Sequence, residues 1–448
     1  MGTPEPNPGL ERLYRQTGWT LRQFAQEVNR IGTERRTPTK YREPSVHQWL
    51  RGHLPREGTR SLILEALARR LRRPVTHREA GFPSPDGKSK IRPGTVEGLV
   101  DLGRDDMDPT RRSIIGAGLF SVALAVPNWR DIVGRMEAIQ TGQAQRIGMP
   151  EVETVIAMTD RLSGLDDDFG GRYARPMAAA FLVNIVAPYM KADAPGEVRK
   201  AMMSAASFLC YLTGWMAVDE GSHGIAQRYY VKGLELAGSS DDHLTYCHIL
   251  RGMSVQSVDL GHGPTAVGWA NAASEASPTA GHRMAAFMAG QQAHSYAVAG
   301  ERASALRSIQ ETETALNKAD SQQGTFGGYN AATLAYHIAQ VRYALGDVAG
   351  SVDSLQLCFR LRNPKYDSHR GELRFGAMLA ERQLEIGHLD AACATWGKVV
   401  DDYPTIQSGK VDKHVREMFR LIRPHLKNPA ARDLYERARL VAPSSLAA

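Results

Sequence analysis

The sequence predicts an all-α protein with a small basic helical domain at the N-terminus and a longer domain of helical repeats behind it. Three observations support this fold class. The 448 residues are 42% hydrophobic but only 7% aromatic, a balance more typical of helices than of strands, which are rich in aromatic and β-branched residues. Positive charge is concentrated at one end of the chain, and similar helical segments recur in its second half. A chain of this length can form two or three domains.

The charge distribution separates the first 82 residues from the rest. Residues 1–82 contain 16 Lys and Arg against 8 Glu and no Asp, whereas the remainder holds 39 basic and 40 acidic residues. A basic domain on a nearly neutral body is typical of nucleic-acid-binding proteins. The alternative is a solvated charged surface with no nucleic-acid partner.

Within residues 1–82, two segments carry helix-start signals. In "TLRQFAQEVNRIG", Thr20 is followed three residues later by Gln23, which forms a capping-box pattern, and Gly32 is a candidate helix end. In "SVHQWLRGHLP", Ser45 is the predicted N-cap and Gly52 the stop. A third amphipathic segment, "TRSLILEALARRL", completes a small helical domain.

The second of these helices has an apolar side and a polar side. Val46 and Trp49 are predicted to face the core, which leaves a polar face that could enter a DNA major groove. The pattern, with Ala25 in the preceding helix, resembles the XRE-type helix-turn-helix, although the turn is about a dozen residues longer than usual. The predicted base-reading residues are Ser45, His47, Gln48 and Arg51.

Phosphate contacts are expected from cations around that helix, because Lys and Arg near the backbone dominate DNA affinity. The predicted set is Arg22, Lys40, Arg42, Arg56 and Arg60. Lys40, Tyr41 and Arg42 lie in the long turn, where they could form an arm that reaches the groove or supply charge alone. The alternative for the whole domain is a basic helical domain that docks a protein.

A linker is predicted over residues 83–110, which are rich in Gly, Pro, Asp and Lys. The next segment, 111–128, looks like a twin-arginine export signal, with two arginines, an apolar run and an Ala-x-Ala ending. Export signals are N-terminal, and this run is too short to span a bilayer, so we predict an apolar joint helix instead. Its apolar residues are expected to be buried against the body or a dimer partner: Ile114, Ile115, Leu119, Phe120 and Leu124.

Over residues 129–440, five segments share a glycine flanked by small residues seven places before and five places after it. The glycines lie 40, 39, 46 and 41 residues apart. The small–Gly–small sets are Gly214/Gly221/Ala226, Ser254/Gly261/Ala266, Ala293/Gly300/Ala305, Ala339/Gly346/Ser351 and Ala380/Gly387/Ala392. This is the tetratricopeptide (TPR) pattern in a lengthened form and predicts a TPR-like α-solenoid followed by a tail at 441–448. The alternative is a non-repetitive helical body.

The repeat register also predicts a ligand groove on the first helix of each hairpin. Aromatic and cationic side chains there would suit a peptide or another anionic, partly apolar ligand, although such grooves are often only solvated. The predicted groove residues are Tyr211, Trp215, His248, Arg251, His294, Tyr336, Gln340, Tyr343, Arg374 and Glu381.

The sequence predicts neither catalysis nor a cofactor. GxSxG, HExxH and P-loop motifs are absent. The four cysteines (Cys210, Cys247, Cys358, Cys393) form no CxxC, which favours buried thiols in a reducing compartment over disulfides or a metal site.

Taken over nearly its whole length, the chain resembles the actinobacterial helix-turn-helix/TPR regulators of the NsdA type. The most similar stretches are Asp166–Met190 and Gly214–Ala237. The resemblance implies a cytoplasmic transcriptional regulator of development or specialised metabolism, frequently a repressor, with double-stranded DNA as its partner and no membrane association. A homodimer, with its two N-terminal domains related by twofold symmetry, would bind a palindromic DNA site.

A looser architectural likeness, to peptide-sensing regulators of Firmicutes, suggests a peptide or small-molecule effector in the groove. The rival hypothesis from another class is a protein-interaction scaffold or anti-regulator whose basic head binds a protein.

Overall fold

The computed structural model describes residues 6–34, 37–71, 75, 79–83, 94–107, 146–276, 281–319, 329–363 and 367–447. All regular elements in these ranges are helical, apart from one isolated bridge between Arg146 and Asp193. The predicted all-α fold is therefore confirmed. The predicted joint helix 111–128 and its five apolar residues lie outside the described residues.

The N-terminal domain, called the head below, consists of α1 (Pro8–Thr17), α2 (Leu21–Glu34), α3 (Glu43–Leu50) and α4 (Glu57–Leu71). The Thr20 capping box is present, because the Thr20 hydroxyl accepts from the Gln23 amide and the Gln23 side chain accepts from the Thr20 amide. Phe24 and Trp49 pack edge-on at 6.5 Å in a core that also includes the fully buried Val46.

Two predicted helix ends in the head are wrong by a few residues. Gly32 does not end α2, which continues to Glu34 with Gly32 buried inside it. Ser45 is not the N-cap of α3, which begins at Glu43 after Arg42. Pro44 explains the earlier start of α3, because its fixed φ suits the first helical turn and its missing N–H costs nothing there.

Part of the predicted 83–110 linker is helical. Residues Thr95–Met107 form α5, and Val96, Leu99 and Leu102 are buried in the core of the repeat domain. Asp106 anchors the end of α5, because it pairs with the buried Arg175 and accepts a hydrogen bond from Tyr229 Oη. The linker was predicted from the Gly, Pro, Asp and Lys content of the segment. The helix instead follows from the helical spacing of its apolar residues, which allows them to join the core.

The body begins with α6 (Met149–Phe169) and α7 (Gly171–Phe181), which continues through a π turn at Leu182–Val186 into α8 (Ala187–Lys191). Ten helices then form five hairpins: α9 (Gly196–Asp219) with α10 (His223–Ser240), α11 (His243–Asp259) with α12 (Gly263–Ala276), α13 (Gly281–Val298) with α14 (Arg302–Asn317), α15 (Ala331–Ala344) with α16 (Val348–Leu361), and α17 (His369–Glu385) with α18 (Leu389–Asp402). The chain ends with α19 (Gly409–Ile422), α20 (Pro429–Val441) and α21 (Ser444–Ala447). Single 3-10 turns occur at Tyr403–Thr405 and Arg423–His425.

The glycine of each predicted repeat makes the turn between two helices. All five have positive φ, from 74° at Gly261 to 87° at Gly346, a conformation that side chains other than glycine rarely adopt. The small residues on either side are all buried. At two of these contacts a serine bridges the helices, because Ser254 Oγ donates to the Ala266 carbonyl at 2.9 Å and Ser351 Oγ to the Ala339 carbonyl at 2.7 Å.

The end of the body packs back onto its beginning. Arg370 of α17 pairs with Asp166 of α6 at 2.8 Å and with Asp219 of α9 at 3.0 Å. Ser408, which caps α19, donates to Asp219 at 2.8 Å. The predicted tail is likewise packed rather than loose, since Leu446 in the short α21 is buried in the C-terminal core.

One described helix, α9, is long and apolar enough to cross a membrane, but 78% of its apolar stretch is buried inside the protein. Its composition therefore fits the central core helix that it forms here. The four cysteines are buried thiols outside any disulfide, as predicted.

The close approach of α9 and α10 makes a testable prediction. A Cβ on Gly214 would lie 2.7 Å from the Tyr230 ring and 3.2 Å from the Ala226 carbonyl. Gly214→Ala is expected to lower the free energy of unfolding by about 1–3 kcal/mol, the usual effect of overpacking a core. Chemical denaturation measures this change.

The matched control is Gly268→Ala on α12, where a Cβ would meet no atom within 4 Å. Alanine at such a helical site is expected to stabilise by about 0.5–1 kcal/mol. Equal effects of the two substitutions would contradict the packing assigned to Gly214.

Candidate functional site

The exposed face of α3 is the first candidate site. Val46 and Trp49 fix the inner side of the helix, while His47, Gln48 and Arg51 are exposed. Of the predicted base-reading residues only Ser45 is half-buried. The structure thus places three of the four side chains on one accessible surface, which we call the α3 face.

The predicted phosphate-contacting cations differ in how free they are. Arg22, Lys40, Arg42 and Arg56 are exposed, and Lys40 and Arg42 lie just before α3 in the chain while Arg56 lies shortly after it. Arg60 is half-buried, and its guanidinium donates to the Pro83 carbonyl at 3.3 Å. Arg60 therefore binds the segment that follows the head, a contact that the helical spacing of the sequence did not predict.

The long turn before α3 is held against the head. The Asn29 side chain accepts from the Tyr41 amide and donates to the Tyr41 carbonyl, each at 2.8 Å. The Tyr41 ring packs edge-on against Trp49 at 5.0 Å, and its hydroxyl bonds Thr59. Tyr41 therefore does not form a groove-reaching arm. Asn29 was not among the predicted residues. An asparagine shortly before a long turn could have indicated this role, because its side chain commonly bonds the backbone of nearby turns.

The head docks on α12 of the body through charged groups of α2 and α4. Glu275 pairs with Arg30 at 2.9 Å and with Arg69 at 3.5 Å, and the Asn271 amide donates to Glu34 at 3.4 Å. Asn271 in turn accepts hydrogen bonds from Gln292 and Tyr296 of α13. The α3 face lies outside these contacts and stays accessible while the head is docked.

The second candidate site, which we call the inner face, is a row of rings on the first helices of the hairpins together with Tyr329, which lies just before α15. Its ring-to-ring contacts are Trp215–Tyr211 at 6.3 Å, Tyr211–His248 at 4.4 Å, His248–Phe287 at 5.3 Å, Phe287–Tyr329 at 5.9 Å, Tyr329–His337 at 5.5 Å and Tyr336–Phe375 at 4.3 Å. The row extends from α9 to α17 and therefore links all five hairpins, with Phe375 as its ring on the fifth.

The inner face is more closed than the repeat register predicted. Tyr211, His248, Arg251, His294 and Gln340 are all at least nine-tenths buried, so these five of the predicted groove residues lie within the packed body and do not line an open groove. The reason is close packing of neighbouring hairpins together with the start of α19. Trp215, Tyr336, Arg374 and Glu381 are partly exposed, and Tyr343 is exposed.

Positive charge exceeds negative charge along the inner face. Asp259 is shared by two cations, Arg374 at 3.4 Å and Lys410 at 2.5 Å. Glu381 is paired with His414 of α19 at 2.7 Å. Arg382 has no carboxylate contact among the described residues and instead bonds Gln340 and Ser351 and stacks on Tyr343 at 4.1 Å.

Arg251 is the most isolated of these cations. Its guanidinium lies over the Phe287 ring at 3.5 Å, and its Nε is buried without a hydrogen-bond partner among the described residues. Burial lowers the pKa of Arg251, because the charged form loses its hydration. Phe287, Tyr329, Phe375, Arg382, Asp259 and Lys410 were not predicted, since their contacts join helices far apart in sequence.

A further cavity of about 340 Å³ lies between α16, α17 and α18. Its lining mixes acidic and basic residues with apolar ones, and it contains none of the predicted site residues. In the part of the chain that the structure describes, no group of three or more His, Cys, Asp or Glu could hold a metal ion.

Comparison with known proteins bears on the head alone. Residues 10–83 match the family described as the SP15 N-terminal domain. The match ends beside Phe82, the last residue buried in the head core. No curated protein matches the chain.

The buried histidines of the inner face predict an acid-sensitive fold. Burial lowers the pKa of His248 to about 3 and that of His294 to about 4, so both are neutral in the folded protein. In the unfolded chain they take up protons near pH 6.5. The melting temperature is therefore expected to fall as the pH drops from about 6.5 towards 4, because only the unfolded state binds these protons in that window.

His248→Phe tests this prediction, since it keeps a ring against Tyr211 but cannot be protonated. It is expected to flatten the fall in melting temperature with pH, whereas His282→Gln, at an exposed position, should leave the slope unchanged. An unchanged slope in His248→Phe would show that His248 is not a source of the acid sensitivity.

Proposed function

We propose that the protein is a sequence-specific DNA-binding transcriptional regulator that acts in the cytoplasm without catalysis. The observation that carries this proposal is the α3 face: His47, Gln48 and Arg51 remain exposed while α2 and α4 hold the head on the body. A helix with a buried apolar side and a polar outer side is the element that enters the major groove. Arginine and glutamine are the side chains that pair bidentately with guanine and adenine edges.

The surrounding charge is consistent with this role. Arg22, Lys40, Arg42 and Arg56 are exposed on the head and can contact phosphates. Glu43, also exposed, lies in the first turn of α3 and opposes phosphate binding at that end of the helix. We therefore expect the strongest phosphate contacts on the sides of the helix rather than at its N-terminus.

Two further features of the proposal come from the resemblance to helix-turn-helix/TPR regulators. A homodimer would present two heads to a palindromic site, and the sign of regulation would most often be repression. The described contacts between head and body give such a regulator a route from the inner face to DNA, because α13 carries both Phe287 and the Asn271 partners.

Substitutions in the head test the proposal. Arg51→Ala or His47→Ala is expected to reduce discrimination between specific and random DNA by about 1–3 kcal/mol, because a base contact is lost. Arg56→Ala is expected to weaken binding to both DNAs alike and to lessen the salt dependence of affinity. The measurement is a salt series of binding isotherms on a site selected from random DNA.

Arg60→Ala is the matched control, because its guanidinium already bonds the Pro83 carbonyl. It should change DNA affinity less than Arg56→Ala does. Identical behaviour of Arg51, His47 and Arg56 variants on both DNAs would exclude α3 as the recognition helix.

A protein-binding scaffold is the second candidate, and one observation favours it. Leu54, just after α3, is 56% exposed among the basic residues of the head, and an exposed apolar side chain is more typical of a protein contact than of a phosphate contact. If selection from random DNA enriched no sequence at physiological salt, while Leu54→Ser abolished binding of a protein partner, the scaffold would replace the regulator.

A further inference from the structure

Arg251 on α11 carries a buried charge that the protein does not neutralise. The residue is 8% exposed, and within the described ranges no carboxylate contacts its guanidinium. Two other buried arginines are paired with carboxylates: Arg370 with Asp166 and Asp219, and Arg175 with Asp106 and Glu220. Arg382, which also lacks a carboxylate contact within the described ranges, bonds the side-chain oxygens of Gln340 and Ser351, whereas no hydrogen bond to the Arg251 guanidinium compensates its burial there. An unpaired buried cation costs stability, so its presence indicates a ligand that supplies the missing anion.

The Arg251 guanidinium can hold such an anion by itself. Its planar fork of N–H groups can donate two parallel hydrogen bonds, and its Nε is buried without a hydrogen-bond partner in the part of the chain that the structure describes. A fork of this kind suits a single group with two acceptor oxygens, which is the geometry of a carboxylate.

The neighbouring surface is aromatic and partly open. Phe287 lies against the guanidinium at 3.5 Å and remains partly exposed, as does Tyr336, whose ring stacks on Phe375 at 4.3 Å. Flat rings at these distances can accept another ring by offset or edge-on stacking. Because the nearby His248, His294 and Tyr329 contribute no negative charge, this surface would not repel an anion.

We propose that the inner face binds a small aromatic carboxylic acid, with its carboxylate on the Arg251 guanidinium and its ring against Phe287 and Tyr336. A small acid fits better than an extended peptide, because so little of Arg251 is exposed that a single terminal group can reach it but a chain cannot. This inference builds on the proposed function, because it gives the chemical class of effector that the regulator would bind. Its binding does not require DNA, so failure of one proposal leaves the other standing.

Calorimetric titration of the full-length chain tests the site. The probes are aromatic carboxylates from benzoate to indole-3-acetate, each compared with the corresponding amide, together with inorganic phosphate. At least one acid is expected to bind ten-fold or more tightly than its amide, because only the acid places a negative charge on the guanidinium. Failure of every acid, tighter binding of phosphate, or binding of peptides in place of the acids would overturn the proposal.

Arg251→Met should abolish acid binding or weaken it at least ten-fold. Arg228→Met, on the exposed side of α10, is the matched control and should bind normally.

Stability separates a binding role from a structural one. Removal of an unpaired buried charge should leave the melting temperature of ligand-free Arg251→Met unchanged or raise it, and the acid should no longer increase it. A marked fall in the melting temperature of ligand-free Arg251→Met would mean that the guanidinium serves the fold, which would contradict the proposal.

Discussion

In each hairpin, two helices approach at buried small residues beside a glycine turn of positive φ, and the inner face depends on this contact. Gly214 leaves room for the Tyr230 ring. Ser351 joins the two helices of its hairpin, because its hydroxyl donates a hydrogen bond to the Ala339 carbonyl. If these residues were larger, the hairpins would splay and successive first helices would no longer align. The alignment is what places rings from α9 to α17 within stacking distance of one another.

Charge organises the molecule at a second level. Asp219 and Asp259 bind the last helices of the body to its first two hairpins through Arg370, Ser408 and Lys410. A different set, centred on Glu275 and Glu34, fixes the head on α12. Helix α13 lies between the two regions, since it supplies Phe287 to the inner face and hydrogen-bonds Asn271 near the head. A ligand that moved Phe287 would therefore act on the same helix that supports the head.

Local pattern was sufficient for the hairpins and much of the head. The period of the glycines, the small residues around them and the capping box at Thr20 are each properties of a few neighbouring residues, so the sequence predicts them without knowledge of the fold. The same reasoning failed where composition and apolar pattern disagreed. Residues 95–107 have linker-like surroundings, but Val96, Leu99 and Leu102 at helical spacing form α5 and join the core.

Of the candidate sites, the sequence by itself determined which side chains are available: a polar face on α3, and aromatic and cationic residues at fixed positions of each repeat. Only the tertiary structure decided which of them are exposed and which are paired. Arg374 and Arg251 have the same chemistry, yet Arg374 meets Asp259, which lies 115 residues away along the chain, whereas Arg251 meets an aromatic ring. The cause is physical: pairing and burial depend on contacts between helices distant in sequence, which periodicity along one helix does not encode.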